Sequence, residues 1–207
     1  TPVIAAVSDV TINEDESSTV ILSATDANGD AITYSAVSDT NAVSISVSSE
    51  TLTLTPAANW NGTSTINAYA SDGSLIDSTK FTLTVTAVND APVITAVADD
   101  STNEETEKVI VVGSSDVDGD ALTYTATSDT SGVGVTISTD TLKLTPALNY
   151  TGTSVITVIV SDNALTDTTK FDFKVINVND APVIAAVSDV TFAEDTTGSL
   201  VLSATDI

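Results

Sequence analysis

Acidic and amide side chains of this chain are concentrated in short turn segments between apolar runs. The segments are "NEDES" at 13–17, "DANGD" at 26–30, "SDGSLID" at 71–77 and "VNDAP" at 88–92, and each has a counterpart 90 residues later. Carboxylate, amide and carbonyl oxygens are the ligands of hard cations, and Ca²⁺ takes about six to eight of them. One such segment alone is more often an ordinary solvated turn, because Asp, Asn and Gly suit turn geometry without any ligand.

The charge of the chain also favours cations as ligands. Its 207 residues include 29 acidic and 5 basic side chains, the latter all Lys, which gives a net charge of −24. Such a surface repels nucleic acid and anionic lipid. The sequence has no His, Cys or Arg, which often serve as catalytic bases, nucleophiles and electrophiles, and we expect no enzyme. Paired carboxylates can hydrolyse glycosides, but here the acids recur in every repeat, as structural sites should.

The sequence repeats with a period of 90 residues from end to end, without a gap. "PVIAAVSDVT" at Pro2 returns at Pro182, and "TLTLTPAANWNGTSTI" at Thr51 returns as "TLKLTPALNYTGTSVI" at Thr141. The predicted units are 1–90, 91–180 and an incomplete third unit, 181–207. No apolar run reaches the roughly 18 residues that cross a bilayer, so we expect no membrane insertion of this segment. The abrupt start and end indicate a fragment of a longer protein.

Within a unit, apolar residues alternate with Thr and Ser at period two, as in Val43-Ile45-Val47 and Phe81-Leu83-Val85. This periodicity is typical of strands, and turn segments separate about seven of them per unit. An all-β fold of tandem seven-stranded Greek-key β-sandwiches with an immunoglobulin-like build is therefore predicted. If the first strand runs away from the preceding unit, successive turns alternate between the two ends of each sandwich.

This alternation predicts that acids from two successive units converge at the linker between them. Unneutralised carboxylates would push the units apart there, whereas Ca²⁺ would hold them together. The predicted ligands at the junction of units 1 and 2 are Glu14, Asn89, Asp90, Asp116, Asp118 and Asp162. Two incomplete sets are Glu104, Asn179, Asp180 and Asp206 at the junction of units 2 and 3, and Asp26, Asn28 and Asp72 at the top of unit 1.

These residues resemble the cadherin repeat, particularly its cadherin-like relatives in tandem arrays on prokaryotic surface proteins. The matching motifs are Glu14 in the first turn, Asp26-Ala27-Asn28, Ala70-Ser71-Asp72 and Asn89-Asp90-Ala91-Pro92, and the likeness extends over both full units and the partial third. The resemblance implies calcium at the junctions and an extracellular location at the cell surface. Because Ala87 and Asn177 replace the first acid of the family's linker, and "PAANWNG" carries no acid, we expect one or two ions per junction rather than three.

Two structural functions follow from these expectations. In the first, calcium stiffens a stalk of sandwiches that holds a distal module away from the cell, and the partners of each unit are its neighbours in the chain. In the second, the units of different copies contact one another in a filament or a homophilic adhesin, by strand exchange in one version. Exposed apolar patches or strands without partners would favour the second function.

Three further features of the sequence leave alternatives open. Residues 181–207 supply only the first two strands of a sandwich and should expose Val190, Phe192, Leu200 and Leu202. Either the array continues and supplies the remaining strands, which the gapless period favours, or another copy supplies them by strand exchange. Trp60 and its equivalent Tyr150 either close one end of the sandwich or form a stacking platform for sugars. Asn61 and Asn149 lie in tripeptides that match glycosylation sequons, which are common in a Thr-rich chain.

Overall fold

A computed structural model describes residues 1–206, and it confirms the all-β prediction. The chain divides into two compact units, Thr1–Asn89 and Asp90–Ile207. Each unit contains a sandwich of one four-stranded and one three-stranded sheet. Among the described residues there is no helix long and apolar enough to cross a membrane.

The strands of unit 1 follow the predicted apolar runs. They are β1 (Pro2–Ile4), β2 (Val10–Asn13), β3 (Ser18–Ile21), β4 (Ala24–Asp26), β5 (Thr33–Ser38), β6 (Val43–Ser48), β7 (Thr51–Pro56), β8 (Gly62–Ser71) and β9 (Ile76–Thr86). The four-stranded sheet has the order β2-β9-β8-β5, and the three-stranded sheet has the order β3-β7-β6. These seven strands are the predicted seven, and β1 and β4 form an additional antiparallel pair.

Unit 2 repeats this arrangement. Its strands are β10 (Val93–Ile94), β11 (Asp100–Asn103), β12 (Lys108–Val111), β13 (Ser114–Ser115), β14 (Thr123–Ser128), β15 (Val133–Ser138), β16 (Thr141–Pro146), β17 (Gly152–Ser161) and β18 (Thr166–Ile176), followed by β19 (Val183–Ile184) and β20 (Ala204–Thr205). The two sheets have the orders β11-β18-β17-β14 and β12-β16-β15, and β10 pairs with β13.

The first strand of each unit is split because it serves two neighbours. β1 pairs antiparallel with β4, with Pro2 opposite Asp26, whereas β2 pairs parallel with β9, with Val10 opposite Leu83. The carboxylate of Asp77 accepts a hydrogen bond from the Ile4 amide at 2.9 Å and so ties β1 to the start of β9. The Thr1 end of the unit is therefore fixed beside the turns that precede β5 and β9.

The period-two pattern places one apolar face of each strand in the core. The fully buried side chains include Leu52, Leu54, Ile66 and Leu83 in unit 1, and Leu142, Leu144, Ile156 and Phe173 at comparable places in unit 2. Trp60 and Tyr150 are half-buried and pack against these cores, in keeping with the first of their two interpretations. The Tyr150 hydroxyl lies 3.1 Å from the buried Ser154 Oγ.

Residues 181–206 form only the short pair of β19 and β20. As predicted, Val190, Phe192, Leu200 and Leu202 are exposed, by 46–60%. In unit 1 the equivalent stretches are β2 and β3, which pair with β9 and β7. No counterpart of β9 or β7 lies within residues 181–206, so these apolar side chains have no sheet there to cover them.

Candidate metal sites

A buried glutamate fixes the exit from the last strand in each unit. Glu14 is 4% exposed, and its Oε1 accepts a hydrogen bond from the Val88 amide at 2.7 Å. Glu104 does the same with the Val178 amide at 2.6 Å. These contacts hold the segments that lead into Asn89-Asp90 and Asn179-Asp180. The second carboxylate oxygen of Glu14, Oε2, is buried and has no hydrogen-bond partner.

Three carboxylates meet at the opposite end of unit 1. Oxygens of Asp26, Asp30 and Asp72 lie within 4.8 Å of one another. One oxygen of Asp26 accepts the Asn28 amide at 2.8 Å, and one oxygen of Asp72 accepts the Ser74 and Leu75 amides at 2.8 and 2.7 Å. The chain thus orients each of these two carboxylates through Oδ1, and Oδ2 takes no part in these backbone contacts.

The terminal nitrogen of Thr1, the first residue of the sequence, lies beside this cluster. It is 3.0 Å from Asp26 Oδ2 and 3.8 Å from Asp72 Oδ2. The hydrogen bond from the ammonium is the main reason why the pKa of Asp26 falls below its usual range. The pKa of Asp72 is also lowered, chiefly by the Leu75 and Ser74 amides. Both carboxylates are therefore ionised near neutral pH and suited to a positive ligand.

Unit 2 has a carboxylate cluster in the turn that corresponds to residues 26–30 of unit 1. Oxygens of Asp116, Asp118 and Asp120 lie within 4.8 Å of one another. Asp116 Oδ1 accepts the Asp118 and Asp120 amides at 3.0 and 3.2 Å, while Asp116 Oδ2 is buried and has no hydrogen-bond partner. A buried carboxylate oxygen without a donor is costly, and a bound cation would compensate for it.

The linker residue Asp90 contacts this cluster directly. Its amide donates a hydrogen bond to Asp118 Oδ2 at 2.8 Å. Asp162, which was predicted as a ligand of the same site, is 7% exposed, and its Oδ1 accepts the Ala164 and Leu165 amides at 2.7 and 2.6 Å. The turn in "DVDGD" needs Gly119, whose φ of 80° is strained for other residues.

The predicted ligands have different places in the two units. Glu14 and Asn89 belong to unit 1, and Asp90, Asp116, Asp118 and Asp162 belong to unit 2. Their sharing of one ion stays a prediction. At the end of unit 2, Asn179 Nδ2 donates to the Asp180 carbonyl at 2.9 Å, and Asp206 is exposed. Among residues 1–206, Glu104, Asp180 and Asp206 do not form a close group of three carboxylates.

Two acids of the clusters were missed by the sequence analysis. Asp30 and Asp120 are the last residues of "DANGD" and "DVDGD", and each joins its cluster. The Asp30 and Asp120 amides also point at the first acid of the motif, at 3.5 and 3.2 Å. The spacing within each five-residue motif could have revealed these two acids, because a turn that returns the chain to the first Asp brings the fifth residue close to it.

The donor set of both clusters suits calcium. All of the clustered side-chain ligand atoms are carboxylate oxygens, which hard cations prefer over nitrogen or sulfur. In the cluster of unit 2, the buried oxygen of Asp116 without a hydrogen-bond partner is a further sign that positive charge would be stabilised there. Asp26, Asp30 and Asp72 would hold an ion in unit 1, and Asp116, Asp118 and Asp120 in unit 2.

Comparison with protein families shows two copies of one domain. A family model described as a bacterial Ig domain matches residues 1–86 and again residues 89–174. Human protocadherin-24 EC1-2 is similar in structure, with 17% identity and a TM-score of 0.51 over 84% of this chain and 98% of that one. PcdhgB3 EC1-4 is similar with 16% identity and a TM-score of 0.52 over 86% of this chain and 50% of that one. These likenesses show the cadherin-like fold alone.

Other comparisons carry less information. The endo-fucoidan hydrolase MfFcnA4 of glycoside hydrolase family 107 has 24% identity and a TM-score of 0.37 over 86% of this chain. The chain spans only 29–34% of the length of such hydrolases, and so low a TM-score carries no argument about activity. No curated protein is significantly similar to the chain. Bacterial Ig domains typically occur in extracellular surface proteins and are typically not enzymes.

Proposed function

The chain belongs to the bacterial Ig domain family, and we propose that it is a calcium-stiffened spacer of an extracellular surface protein. The observation that carries this proposal is the buried Asp116 Oδ2, which has no hydrogen-bond donor although its partner oxygen has two. Folding normally leaves few buried polar atoms without partners, and such an atom in a carboxylate cluster supports the proposal that a cation binds there.

The proposed ligands of the main site are the six residues predicted for the junction of units 1 and 2, together with Asp120 of the unit 2 cluster. Asp116, Asp118 and Asp162 come from unit 2, Asp90 and Asn89 from the linker, and Glu14 from the turn that holds Val88. Calcium bound there would neutralise these carboxylates and join the linker to both turns. The contacts of Glu14 with Val88 and of Asp118 with Asp90 support this proposal, because both fix the linker beside a candidate ligand.

A structural role on the cell surface agrees with the rest of the chain. Each unit has its own apolar core, so each should remain folded without metal. The sequence contains no His, Cys or Arg, and we propose no catalytic activity. A stalk of this kind would hold another part of a longer protein away from the cell, and metal at the junctions would limit bending between units.

Calcium titration of the whole chain tests the proposal. We expect calorimetry to detect binding at or below millimolar calcium, and small-angle scattering to show a more extended particle with calcium than with chelator. Asp116→Asn should weaken binding by about tenfold or more, since it removes a ligand charge. Glu50→Gln is the matched control, because Glu50 is exposed and outside the clusters. Absence of binding at millimolar calcium, or equal effects of both variants, would contradict the proposal.

A further inference from the structure

The segment between β4 and β5 contains one of the two Asn-Gly pairs of the chain. The pairs are Asn28-Gly29 and Asn61-Gly62. In such a pair the backbone nitrogen of the glycine can attack the side-chain carbonyl carbon of the asparagine, because glycine has no side chain that blocks the approach. Whether a pair reacts in a folded protein then depends on how easily its backbone leaves the native conformation.

Asn28 and Gly29 lie in an exposed turn outside the sheets. Both residues are exposed, and neither belongs to a strand. The Gly29 amide donates a hydrogen bond of 3.2 Å to the Asp26 carbonyl. Gly29 has a φ of 77°, and the space that a Cβ would occupy on it is open. The Gly29 nitrogen can therefore leave this hydrogen bond without disturbing the core.

The second pair is held much more firmly. Gly62 is the first residue of β8 and lies opposite Val85 of β9. A Cβ on Gly62 would lie 3.1 Å from Cζ2 of Trp60, so the ring that packs against the core of unit 1 also covers this glycine. Asn61 can react only after the start of β8 has detached from β9 and from this ring.

The turn at Asn28 has the same geometry as the turn at Asp118 in unit 2. The Asn28 amide donates to Asp26 Oδ1 at 2.8 Å, and the Asp118 amide donates to Asp116 Oδ1 at 3.0 Å. The glycine that follows has a φ of 77° in unit 1 and 80° in unit 2. Asn28 therefore occupies the position at which unit 2 has Asp118, which belongs to the carboxylate cluster of that unit.

We propose that Asn28 deamidates in the folded chain and gives the turn of unit 1 the acid that it lacks relative to unit 2. The Gly29 nitrogen loses its proton and bonds to Cγ of Asn28, while the bond from Cγ to the side-chain nitrogen breaks and ammonia leaves. Water then opens the resulting succinimide ring. Cleavage between Cγ and the Gly29 nitrogen gives aspartate at position 28, whereas cleavage at the backbone carbonyl gives isoaspartate.

The aspartate product makes the two turns alike. It changes "DANGD" to "DADGD", which matches "DVDGD" in unit 2, and it takes the net charge from −24 to −25 because one carboxylate is added. A carboxylate at position 28 should strengthen calcium binding beside Asp26 and Asp30, a consequence that rests on the proposed function. Isoaspartate should weaken it, because the main chain then runs through the longer side-chain path and the turn is distorted.

Peptide mass spectrometry of the full chain, incubated in mildly alkaline buffer with chelator, tests the chemistry. Deamidation replaces NH2 by OH and raises the peptide mass by about 1 Da. We expect this shift at Asn28 at least about tenfold faster than at Asn61, since β8 must open before Asn61 reacts. In urea, where both pairs are unfolded, the two rates should be similar.

Asn28→Gln is the control for this assignment, because its longer side chain closes the ring far more slowly and should abolish the shift at position 28. Equal rates at Asn28 and Asn61 in the folded chain would overturn the proposal. So would a folded chain that remains unchanged at Asn28 during the time in which the urea-unfolded chain reacts.

Calorimetry of Asn28→Asp tests the consequence for calcium separately. Asn41→Asp adds the same charge at an exposed position outside the clusters and is the matched control. We expect Asn28→Asp to bind calcium at least about threefold more tightly than this control, because ligand charge tunes the affinity. Equal affinities would overturn the role of position 28 as a ligand, whereas no binding by the variants or the unchanged chain would overturn the proposed function. The mass shift is measured in chelator, so it distinguishes failure of the chemistry from either of these results.

Discussion

Replacing Glu14 by Gln should destabilise unit 1 in calcium but have little effect in chelator. The carboxylate has two opposing contributions when no metal is bound. Its Oε1 accepts the Val88 amide at 2.7 Å, and losing the charge from that hydrogen bond costs about 1 kcal/mol. Its Oε2 is buried without a partner, and relieving this buried charge returns about 1–3 kcal/mol, offset in part by the new amide nitrogen. The expected change in chelator is therefore within about 1 kcal/mol of zero.

Calcium that binds the folded unit can only raise its free energy of unfolding. At a calcium concentration of about 100 times the dissociation constant, binding adds about 2.7 kcal/mol to the free energy of unfolding. If the loss of Glu14 weakens binding tenfold, the variant loses about 1.3 kcal/mol of this stabilisation, and a hundredfold loss removes about 2.3 kcal/mol. The effect of the substitution should therefore be larger in calcium by that amount.

Urea unfolding followed by Trp60 fluorescence measures this difference. Trp60 is the single Trp of the chain and packs against the core of unit 1, so its signal reports that unit. Glu16→Gln, in the same turn but exposed, is the control for the loss of one negative charge. An equal destabilisation by Glu14→Gln with and without calcium would refute the reasoning and leave Glu14 as a clamp on Val88 alone.

Three other predictions concern stability. Leu144→Ala, at a fully buried position of β16, should lower the free energy of unfolding of unit 2 by about 2–5 kcal/mol, measured by calorimetry or denaturant unfolding. The control Leu148→Ala, at a 78% exposed position, should change it by less than about 0.5 kcal/mol. Thr139→Gly should stabilise unit 2 by about 0.5–1 kcal/mol, because Thr139 has a φ of 55°, which favours Gly. Thr141→Gly inside β16 should instead destabilise the unit, and changes of the same sign in the free energy of unfolding would contradict this prediction. The Ile94 amide lowers the pKa of Asp167 below 3.8. The stability that this contact adds is therefore present above pH 3.8 and is lost as the pH falls through the lower, folded-state pKa. Asp167→Asn should flatten the acid side of the curve of unfolding free energy against pH, and an unchanged slope would count against the prediction.

The strands were predictable because their signal is local. Alternation of apolar residues with Thr and Ser predicts both the strand and the face it buries, as Leu52 and Leu54 illustrate. The split of the first strand was not predictable in this way. Residues 2–13 read as one run, and the change of partner from β4 to β9 depends on contacts that lie up to 73 residues apart, such as that of Ile4 with Asp77.

The acids illustrate the same limit. The motif "DVDGD" was recognised, but only the folded turn shows that Asp120 joins Asp116 and Asp118. Conversely, several acids that look like spare negative charge in the sequence serve distant backbone amides. Asp9 accepts the Thr82 amide at 2.7 Å, and Asp99 accepts the Asp172 amide at 2.8 Å. Such roles have no sequence signature, because donor and acceptor are separated by most of a repeat.

Some acids accept distant backbone amides and others cluster within a turn, and this distinction explains how so acidic a chain can fold. A carboxylate that accepts a backbone amide across the sandwich gains a charge-assisted hydrogen bond and does not need a metal. Asp116 has its amides within its own turn and buries a second oxygen that no donor reaches. Net charge alone is therefore no argument for calcium, whereas a buried oxygen without a donor supports the proposed calcium site. On this criterion Asp116 and Glu14 are the residues whose replacement should depend most on calcium, and Asp9 and Asp99 are those whose replacement should affect stability equally with and without it.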